Sequence, residues 1–204
     1  MDLTIDACRR IFATRDARFD GRVFVGVHTT GIYCRPICPA RTPKPENVSY
    51  YPSAAAARQA GFRPCLRCRP ELAPDVAAWH GTSATVARAL GLIESGALDE
   101  GGVEGLAAHL GISSRQLRRL FKQHLGATPV AVAQTRRIHL AKQLLHDTNL
   151  SMAEVAFAAG FGSVRRFNET FQTLFRQTPA SLRRSRGTAG PTPEALTIRL
   201  PYQP

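Results

Sequence analysis

The sequence predicts two domains of different class, a small α+β domain followed by an all-α domain. Three observations support this division. The first eighty residues mix short alternating apolar runs with Pro and Gly, whereas residues 83–186 show helical periodicity. Four of the five cysteines form two tight pairs in the first part, and residues 103–129 and 151–179 of the second part repeat one another. We therefore predict an α+β small zinc-binding domain over residues 1–80, followed by an all-α domain with two helix-turn-helix motifs over residues 83–186.

Local patterns predict the elements of the first domain. Residues 6–16 are predicted to form a helix, and residues 28–31 to form the turn of a β-hairpin. A further strand and a second helix follow, and Ser53 is expected to cap that helix. The expected segments are residues 23–27 and 32–33 for the hairpin strands, Val48–Tyr51 for the third strand, and residues 53–60 for the helix, which Gly61 ends.

The chain is strongly basic. Lys and Arg outnumber Asp and Glu by 27 to 15 over 204 residues, a formal net charge of +12. Such an excess favours a polyanionic partner, above all nucleic acid. No apolar run approaches the roughly 20 residues of a spanning helix, and the N-terminus does not read as a signal peptide. We expect a cytoplasmic, nucleoid-associated protein that does not act at a membrane.

The paired cysteines predict a metal site. Cys34 and Cys38 form a CxxxC pair, and Cys65 and Cys68 form a CxxC pair, a pattern that can place four thiolates around one tetrahedral zinc ion. Zinc is preferred over iron, which the spacing alone leaves open. Cys8 stands apart and is predicted to be a buried or spare thiol. A four-ligand zinc site is usually closed and purely structural, but the surrounding basic residues are those that a phosphate-binding site needs: Arg35, Arg41, Lys44, Arg63, Arg67 and Arg69.

The sequence segments around the cysteines resemble those of a known protein family. The segments VGVHTTGIYCRPICPAR (residues 25–41), ENV (46–48) and AGFRPCLRC (60–68) closely resemble the N-terminal domain of the bacterial adaptive-response (Ada) regulators. The resemblance covers roughly residues 1–80. It implies one zinc ion held by the four cysteines, with Cys34 as methyl acceptor and with Thr30 and Arg41 near the DNA backbone. Pro43 and Pro45 depart from the family pattern, and we expect them to reshape the loop beside the phosphate.

The same resemblance implies an activity. The chain is expected to be a single-turnover methylphosphotriester-DNA:protein-cysteine S-methyltransferase, a DNA-alkylation sensor that then activates alkylation-repair genes. A zinc-bound thiolate stays ionised at neutral pH and can still act as a nucleophile. The expected partners are double-stranded DNA, both as methylated phosphate backbone and as promoter operator, and RNA polymerase.

The repeated segments predict two helix-turn-helix motifs. LAAHLGISS (residues 106–114) corresponds to VAFAAGFGS (155–163), and each is followed by a Ser-capped basic helix. The domain of residues 83–186 resembles the AraC/XylS transcription factors. The resemblance also includes the segments RRI (136–138) and AKQLL (141–145) of the helix that begins at Thr128-Pro129. The resemblance implies two recognition helices in successive major-groove segments. The candidate DNA-binding side chains are Arg115, Gln116, Arg118, Arg119 and Lys122 of the first unit, and Arg165, Arg166 and Asn168 of the second.

The remaining segments add two expectations. The histidines at positions 109, 124, 139 and 146 do not form a metal-binding pattern and are predicted to be surface or core residues. Residues 187–204 are predicted to be a linker and the start of a truncated glycosylase-like domain, because residues 196–204 resemble the first strand of the alkylbase DNA glycosylases. No catalytic part of that enzyme is present, so we expect no base repair by this chain.

Two alternative functions remain open on the sequence alone. In the first, an AraC-type transcription factor carries a purely structural zinc module and senses another signal; it takes up no methyl group and tolerates Cys34→Ser as long as the metal is retained. In the second, the cysteines are an oxidation sensor that releases zinc in response to peroxide.

Overall fold

The structure is a computed structural model that describes residues 3–73, 84–99 and 101–184. The predicted boundary between the domains of residues 1–80 and 83–186 lies outside the described residues, as do the predicted linker and terminal strand of residues 187–204. Both predicted folds are present: a small domain built on a four-stranded sheet, and a helical domain.

The first domain follows the predicted order of elements. Its helices and strands are α1 (Ile5–Thr14), β1 (Phe24–Val27), β2 (Ile32–Cys34), β3 (Val48–Tyr51), α2 (Ala54–Gln59) and β4 (Arg63–Pro64). The sheet order is β3-β1-β2-β4, with β1 antiparallel to both β2 and β3. Ser53 caps α2 as predicted, accepting a hydrogen bond from the backbone N–H of Ala56. The two-residue β4, which runs parallel to β2, was not predicted because it is too short to show a period.

The two faces of this sheet serve different purposes. Side chains alternate between faces along a strand, so the adjacent residues Tyr33 and Cys34 lie on opposite sides. On one face α1 packs against Val25, which pairs with Cys34, and Cys8 is buried there as predicted. On the other face Tyr33 is fully buried with Phe24 and Phe62.

The second domain is helical throughout its described residues. Its helices are α3 (Ala84–Glu94), α4 (Val103–His109), α5 (Ser114–Leu125), α6 (Pro129–Asp147), α7 (Met152–Ala158), α8 (Val164–Phe175) and α9 (Pro179–Arg184). The pairs α4/α5 and α7/α8 are the two predicted helix-turn-helix units. Ser113 and Ser163 cap the second helix of each unit, and Gly111 and Gly160 make the turns with φ of +68° and +82°.

The long helix α6 is shared by two hydrophobic cores. Its Ala133 belongs to the core of the first unit with Leu117 and Phe121. Its Ile138 and Leu144 belong to the core of the second unit, where three phenylalanines of α8 contact one another in series through edge-on and tilted rings. The helix begins at Pro129 and is capped by Thr128, which confirms the start predicted from the sequence. No helix in the described ranges combines the length and hydrophobicity that crossing a membrane requires.

The same helix also contacts the first domain. Ala55 and Ala56 of α2 pack against Ala127 and Ala131, at the start of α6. The Ser53 hydroxyl donates to the carbonyl oxygen of Leu125 at 2.6 Å. The two domains thus meet along α2 and α6, on the side of the sheet opposite Cys34.

Candidate metal centre and nucleic-acid interface

The four predicted ligands converge on one point. Cys34 ends β2, Cys38 follows in the next turn, and Cys65 and Cys68 lie just after β4. The parallel pairing of β4 with β2, with Tyr33 opposite Pro64, brings the two cysteine pairs together. All four Sγ atoms lie within 4.8 Å of one another. Four sulfurs in this arrangement fit a tetrahedral zinc ion, which is the metal that the site holds.

Ionisation of the four thiols supports the fit. Hydrogen bonds with the other three cysteines raise the pKa of Cys34 far above its ordinary value, whereas those with Cys34 and Cys38 lower the pKa of Cys65. Hydrogen bonding with Cys34 lowers the pKa of Cys38 to about 7. Four adjacent thiols therefore compete for the same few protons. A divalent cation ends this competition because it stabilises all four as thiolates.

Cys34 differs from the other three cysteines. Backbone N–H groups of Arg35 and Arg67 donate to the sulfurs of Cys68 and Cys65, each at 3.4 Å. Among the described residues no backbone N–H donates to Cys34 Sγ, and Cys34 is half-buried while its three companions are buried. Cys34 thus combines the greater residue exposure with a sulfur that accepts no backbone hydrogen bond.

A cavity of about 740 Å³ opens beside Cys34. Its floor is the apolar sheet face that α1 leaves uncovered, including Val27, Ile32 and Val48. Its rim is basic and carries Arg9, Arg15, Arg41, Arg63 and Arg67, and the predicted Thr30 and Pro43 also line it. Thr30 and Arg41 are both exposed at this rim. The cavity combines an accessible sulfur, an apolar floor and a positively charged entrance.

Two of the arginines expected to approach phosphate are engaged inside the protein instead. Arg35 is 7% exposed; it pairs with Asp20 and donates to the carbonyl oxygens of Cys68 and Arg69. Arg69 pairs with Glu71 and with Asp147 of α6. The prediction for these two residues was therefore wrong: Arg35 holds the backbone at Cys68, and Arg69 joins the first domain to α6. Sequence position beside a cysteine could not reveal this, because Asp20 and Asp147 come from other segments.

The predicted DNA-binding side chains of the helical domain lie on the outer surface of α5 and α8. The exposed set comprises Arg115, Gln116, Arg118, Arg119, Lys122, Arg165, Arg166 and Asn168. Arg118 forms an ion pair with Glu104 at 2.8 Å, and Arg165 pairs with Glu169 at 2.8 Å. Both pairs are solvent-exposed and contribute little to stability, so a phosphate can compete for either arginine.

Sequence reasoning missed the residues that join the metal centre to α6. The Tyr33 hydroxyl lies 2.7 Å from His139 Nε2, and Lys142 Nζ lies 2.7 Å from a carboxylate oxygen of Glu71. From the sequence, His139 is predicted to be only an ordinary surface or core residue. Lys142 is noted there only as part of the AKQLL segment, with no role of its own. No local pattern marks either residue, since their partners are 106 and 71 positions away along the chain.

Fold and site together define a class: metalloproteins in which a four-cysteine centre is followed by a double helix-turn-helix domain. Residues 7–71 match the family described as the metal binding domain of Ada, and residues 106–185 match a helix-turn-helix domain family. The chain belongs to the Ada family.

Relatives support this assignment over almost the whole chain. A protein of Mycobacterium tuberculosis named probable bifunctional transcriptional activator/DNA repair enzyme AlkA is 45% identical over 205 residues, covering 97% of this chain and 41% of that protein. The bifunctional transcriptional activator/DNA repair enzyme AdaA of Bacillus subtilis is 35% identical, covering 82% of this chain and 77% of that protein. The present chain thus spans less than half the length of the mycobacterial relative.

A solved structure supports the helical fold. The C-terminal domain of AraT, a response regulator from Geobacillus stearothermophilus, matches with a TM-score of 0.50 and 27% sequence identity. The match covers 56% of this chain and 96% of that domain.

Proposed function

We propose that this chain senses DNA alkylation by taking a methyl group irreversibly from a DNA methylphosphotriester onto Cys34. The observation that carries the proposal is the contrast among the four cysteines. Cys34 lines the basic cavity and is half-buried, whereas the other three cysteines are buried. Among the described residues its sulfur accepts no backbone hydrogen bond, unlike the sulfurs of Cys65 and Cys68. A sulfur with fewer hydrogen bonds is a better nucleophile, because its electron pairs are less stabilised.

The proposed transfer is a single displacement. Zinc, when bound, keeps the Cys34 sulfur ionised at neutral pH. That sulfur attacks the methyl carbon; the S–C bond forms as the C–O bond breaks, and the electron pair leaves with the oxygen as a restored phosphodiester anion. The basic rim, including Arg41 and Arg63, would attract the flanking phosphates. The thioether product has no leaving group that water can displace readily, so each molecule reacts once.

We propose that the same chain binds operator DNA and activates transcription. The exposed basic side chains of α5 and α8 support two recognition helices, and the relatives from M. tuberculosis and B. subtilis are named as transcriptional activators and DNA repair enzymes. We further propose a cytoplasmic location at the nucleoid and RNA polymerase as a partner, because an activator acts through that enzyme. The domain limits proposed for these activities are residues 1–80 and 83–186, with residues 187–204 as a linker and the start of another domain.

Methylation also changes charge. Four thiolates and one divalent ion carry a net charge of −2, and conversion of one thiolate to a thioether leaves −1. At ~6 Å and an effective dielectric constant near 20, that single charge is worth on the order of 2–3 kcal/mol against a neighbouring phosphate, before screening by salt. Methylated protein should therefore bind DNA more tightly than unmethylated protein.

Mass spectrometry tests the proposal directly. The zinc-loaded chain is mixed with duplex DNA that bears methylphosphotriesters, and intact and peptide masses are measured. We expect one added methyl group, on the Cys34 peptide. Cys34→Ala should gain none, whereas the matched variant Cys8→Ala, which removes the buried thiol outside the metal site, should gain one as the parent does. No gain by the zinc-loaded parent would refute methyl transfer and favour a purely structural zinc module.

A further inference from the structure

The metal centre is tied to one helix of the other domain at three points. Tyr33, which precedes Cys34, bonds to His139. The carbonyl oxygen of Cys65 accepts a hydrogen bond from Lys142 Nζ at 3.4 Å. Arg69, which follows Cys68, pairs with Asp147 at 3.2 Å. Three of the four ligands are therefore connected to α6: Cys65 bonds to it directly, and Cys34 and Cys68 are each next to a residue that does.

These partners form one stripe on α6. The residues that face the first domain recur every three or four positions, the spacing of one helical face: Ala131, Thr135, His139, Lys142 and His146. The remaining faces of α6 are buried in the cores of both helix-turn-helix units. A displacement of the stripe relative to the sheet would therefore move the metal centre relative to both recognition helices.

This contact surface, which we call the α6 dock, is specific but separable. Its centre is the Lys142–Glu71 ion pair, whose side chains are 4% and 1% exposed. Both charges lose their hydration when the dock forms, and this cost offsets most of their mutual attraction. The pair therefore contributes little net free energy to the contact, although it requires one particular arrangement of the two domains. The fully buried apolar residues of the dock are four alanines, with Tyr51 and Val132 partly buried against them, so its apolar area is small for a domain contact. Polar interfaces of this kind between domains open and close more readily than hydrophobic cores.

The dock also lies within reach of the charge that methylation would remove. Lys142 Nζ lies 2.7 Å from a carboxylate oxygen of Glu71 and 3.4 Å from the carbonyl oxygen of Cys65, one of the four thiolate ligands. The ammonium on α6 is thus attracted by the sulfur cluster as well as by its carboxylate partner. Loss of one thiolate charge weakens that attraction.

We propose that the α6 dock holds the unmethylated chain in an arrangement with low affinity for operator DNA, and that methylation of Cys34 loosens it. The inference rests on the proposed function, because the signal is the methyl group on Cys34. It adds a second route to the reduced repulsion between the cluster and DNA phosphates, and in this route the domains change their relative placement. A signal can shift such an equilibrium only through different free energies in the two states, and the charge facing Lys142 supplies that difference.

The test uses variants that break the dock without changing net charge. Lys142→Met combined with Glu71→Gln removes one positive and one negative charge and keeps side-chain volume. Tyr33→Phe removes only the hydroxyl bond to His139 and serves as a second variant if the first folds poorly. The matched control is Arg18→Gln combined with Asp16→Asn, which removes an ion pair of the same domain whose arginine is 85% exposed.

Operator affinity is measured for each chain before and after methylation, on the duplex that the methylated parent selects from a random-sequence pool. Methylation is carried out with methyl iodide and verified at Cys34 by peptide mass spectrometry, so this test does not require transfer from DNA. Zinc content and helicity are checked first. We expect the unmethylated dock variants to bind at least about fivefold more tightly than the unmethylated parent, and the ratio between methylated and unmethylated affinity to fall by a similar factor.

The control should behave as the parent. Unchanged or weaker operator binding by the unmethylated dock variants would overturn the proposal. Equal operator affinity of the parent chain before and after methylation of Cys34 would also overturn it. Failure of the proposed function has a different signature, since it leaves the parent without a methyl group after exposure to alkylated DNA while the methyl iodide series still reports on the dock.

Discussion

Arg35 and Asp20 form an ion pair in which both side chains are less than a tenth exposed, directly behind the metal centre. The guanidinium also holds the carbonyl oxygens of Cys68 and Arg69, so the pair connects the end of β2 to the second cysteine pair. Asp20→Asn leaves a buried cation without its partner. We expect a loss of about 3–5 kcal/mol in the free energy of unfolding of the zinc-loaded chain, measured by urea denaturation, together with faster zinc release to a chelator.

Asp16→Asn is the matched control for this prediction. Asp16 pairs with Arg18, whose side chain is 85% exposed, and such pairs contribute at most about 1 kcal/mol. Equal losses in the two variants would show that the Arg35 pair has no special role in the metal domain.

Gly160 meets the carboxylate of Asp99 so closely that no side chain fits. A Cβ atom at this position would lie 2.5 Å from Asp99 Oδ2, and φ is +82°. Asp99 cannot move away freely because it binds both Arg136 and Arg137 of α6. Gly160→Ala should destabilise the helical domain by about 2–4 kcal/mol, seen as a lower midpoint in thermal unfolding.

Gly162→Ala should have little effect on the same midpoint. Gly162 lies two residues further along, has no positive φ, and has open space where the Cβ atom of an alanine would lie. A large loss in that variant, or none in Gly160→Ala, would contradict the steric explanation.

The stability of the chain should fall in weakly acidic solution because of His139. Burial lowers the pKa of this histidine to about 4 from its ordinary value of 6.5. Between these values the unfolded chain binds a proton that the folded chain does not, so the unfolding free energy decreases as pH falls. The contribution is about 2 kcal/mol between pH 7 and pH 5.

Urea unfolding of the parent and of His139→Gln at both pH values measures this contribution. The variant should lose about 2 kcal/mol less than the parent on acidification. His109→Gln, at an exposed histidine of α4, should lose as much as the parent. An identical pH dependence in all three chains would disprove the role of His139.

Zinc removal should unfold the first domain and spare the second. The sulfur cluster joins β2 to the segment after β4, whereas the two cores of the helical domain contain no cysteine among the described residues. A strong chelator should therefore expose all five thiols to a thiol reagent while far-UV circular dichroism keeps most of its helical signal.

Variants separate the metal ligands from the spare thiol in this experiment. Cys65→Ser should lose zinc at lower chelator concentrations than the parent, and Cys8→Ser should not. Complete loss of helical signal on chelation would mean that the helical domain depends on the metal domain for its stability.

Arg119 of α5 tests the first recognition helix. Arg119→Ala should weaken binding to duplex DNA and lower the slope of log affinity against log salt concentration by about 1, if the side chain contacts one phosphate. Arg88→Ala, at an exposed position of α3, should leave the slope unchanged. Equal slopes for Arg119→Ala and the parent in a fluorescence-anisotropy titration would exclude such a contact.

Much of this protein was predictable from the sequence because the relevant signals are local. Ser53 and Ser163 cap their helices through bonds to residues three positions away, and the cysteine spacings suit a tetrahedral metal whatever the rest of the fold. The start of α6 was predictable for the same reason, because the Thr128 cap and Pro129 are also local signals. The metal site, the double helix-turn-helix motif and the order of elements thus followed from patterns within a few residues.

Only the tertiary structure decided which charges are free and which are engaged. Arg35 and Arg41 look alike in the sequence, yet one is buried against Asp20 and the other is exposed at the rim of the cavity. His139 and Lys142 look like ordinary helix residues, yet they meet Tyr33 and Glu71 across the domain contact. Ion pairs and hydrogen bonds depend on distances of a few ångströms in space, and residues far apart in the chain reach those distances only after the chain has folded.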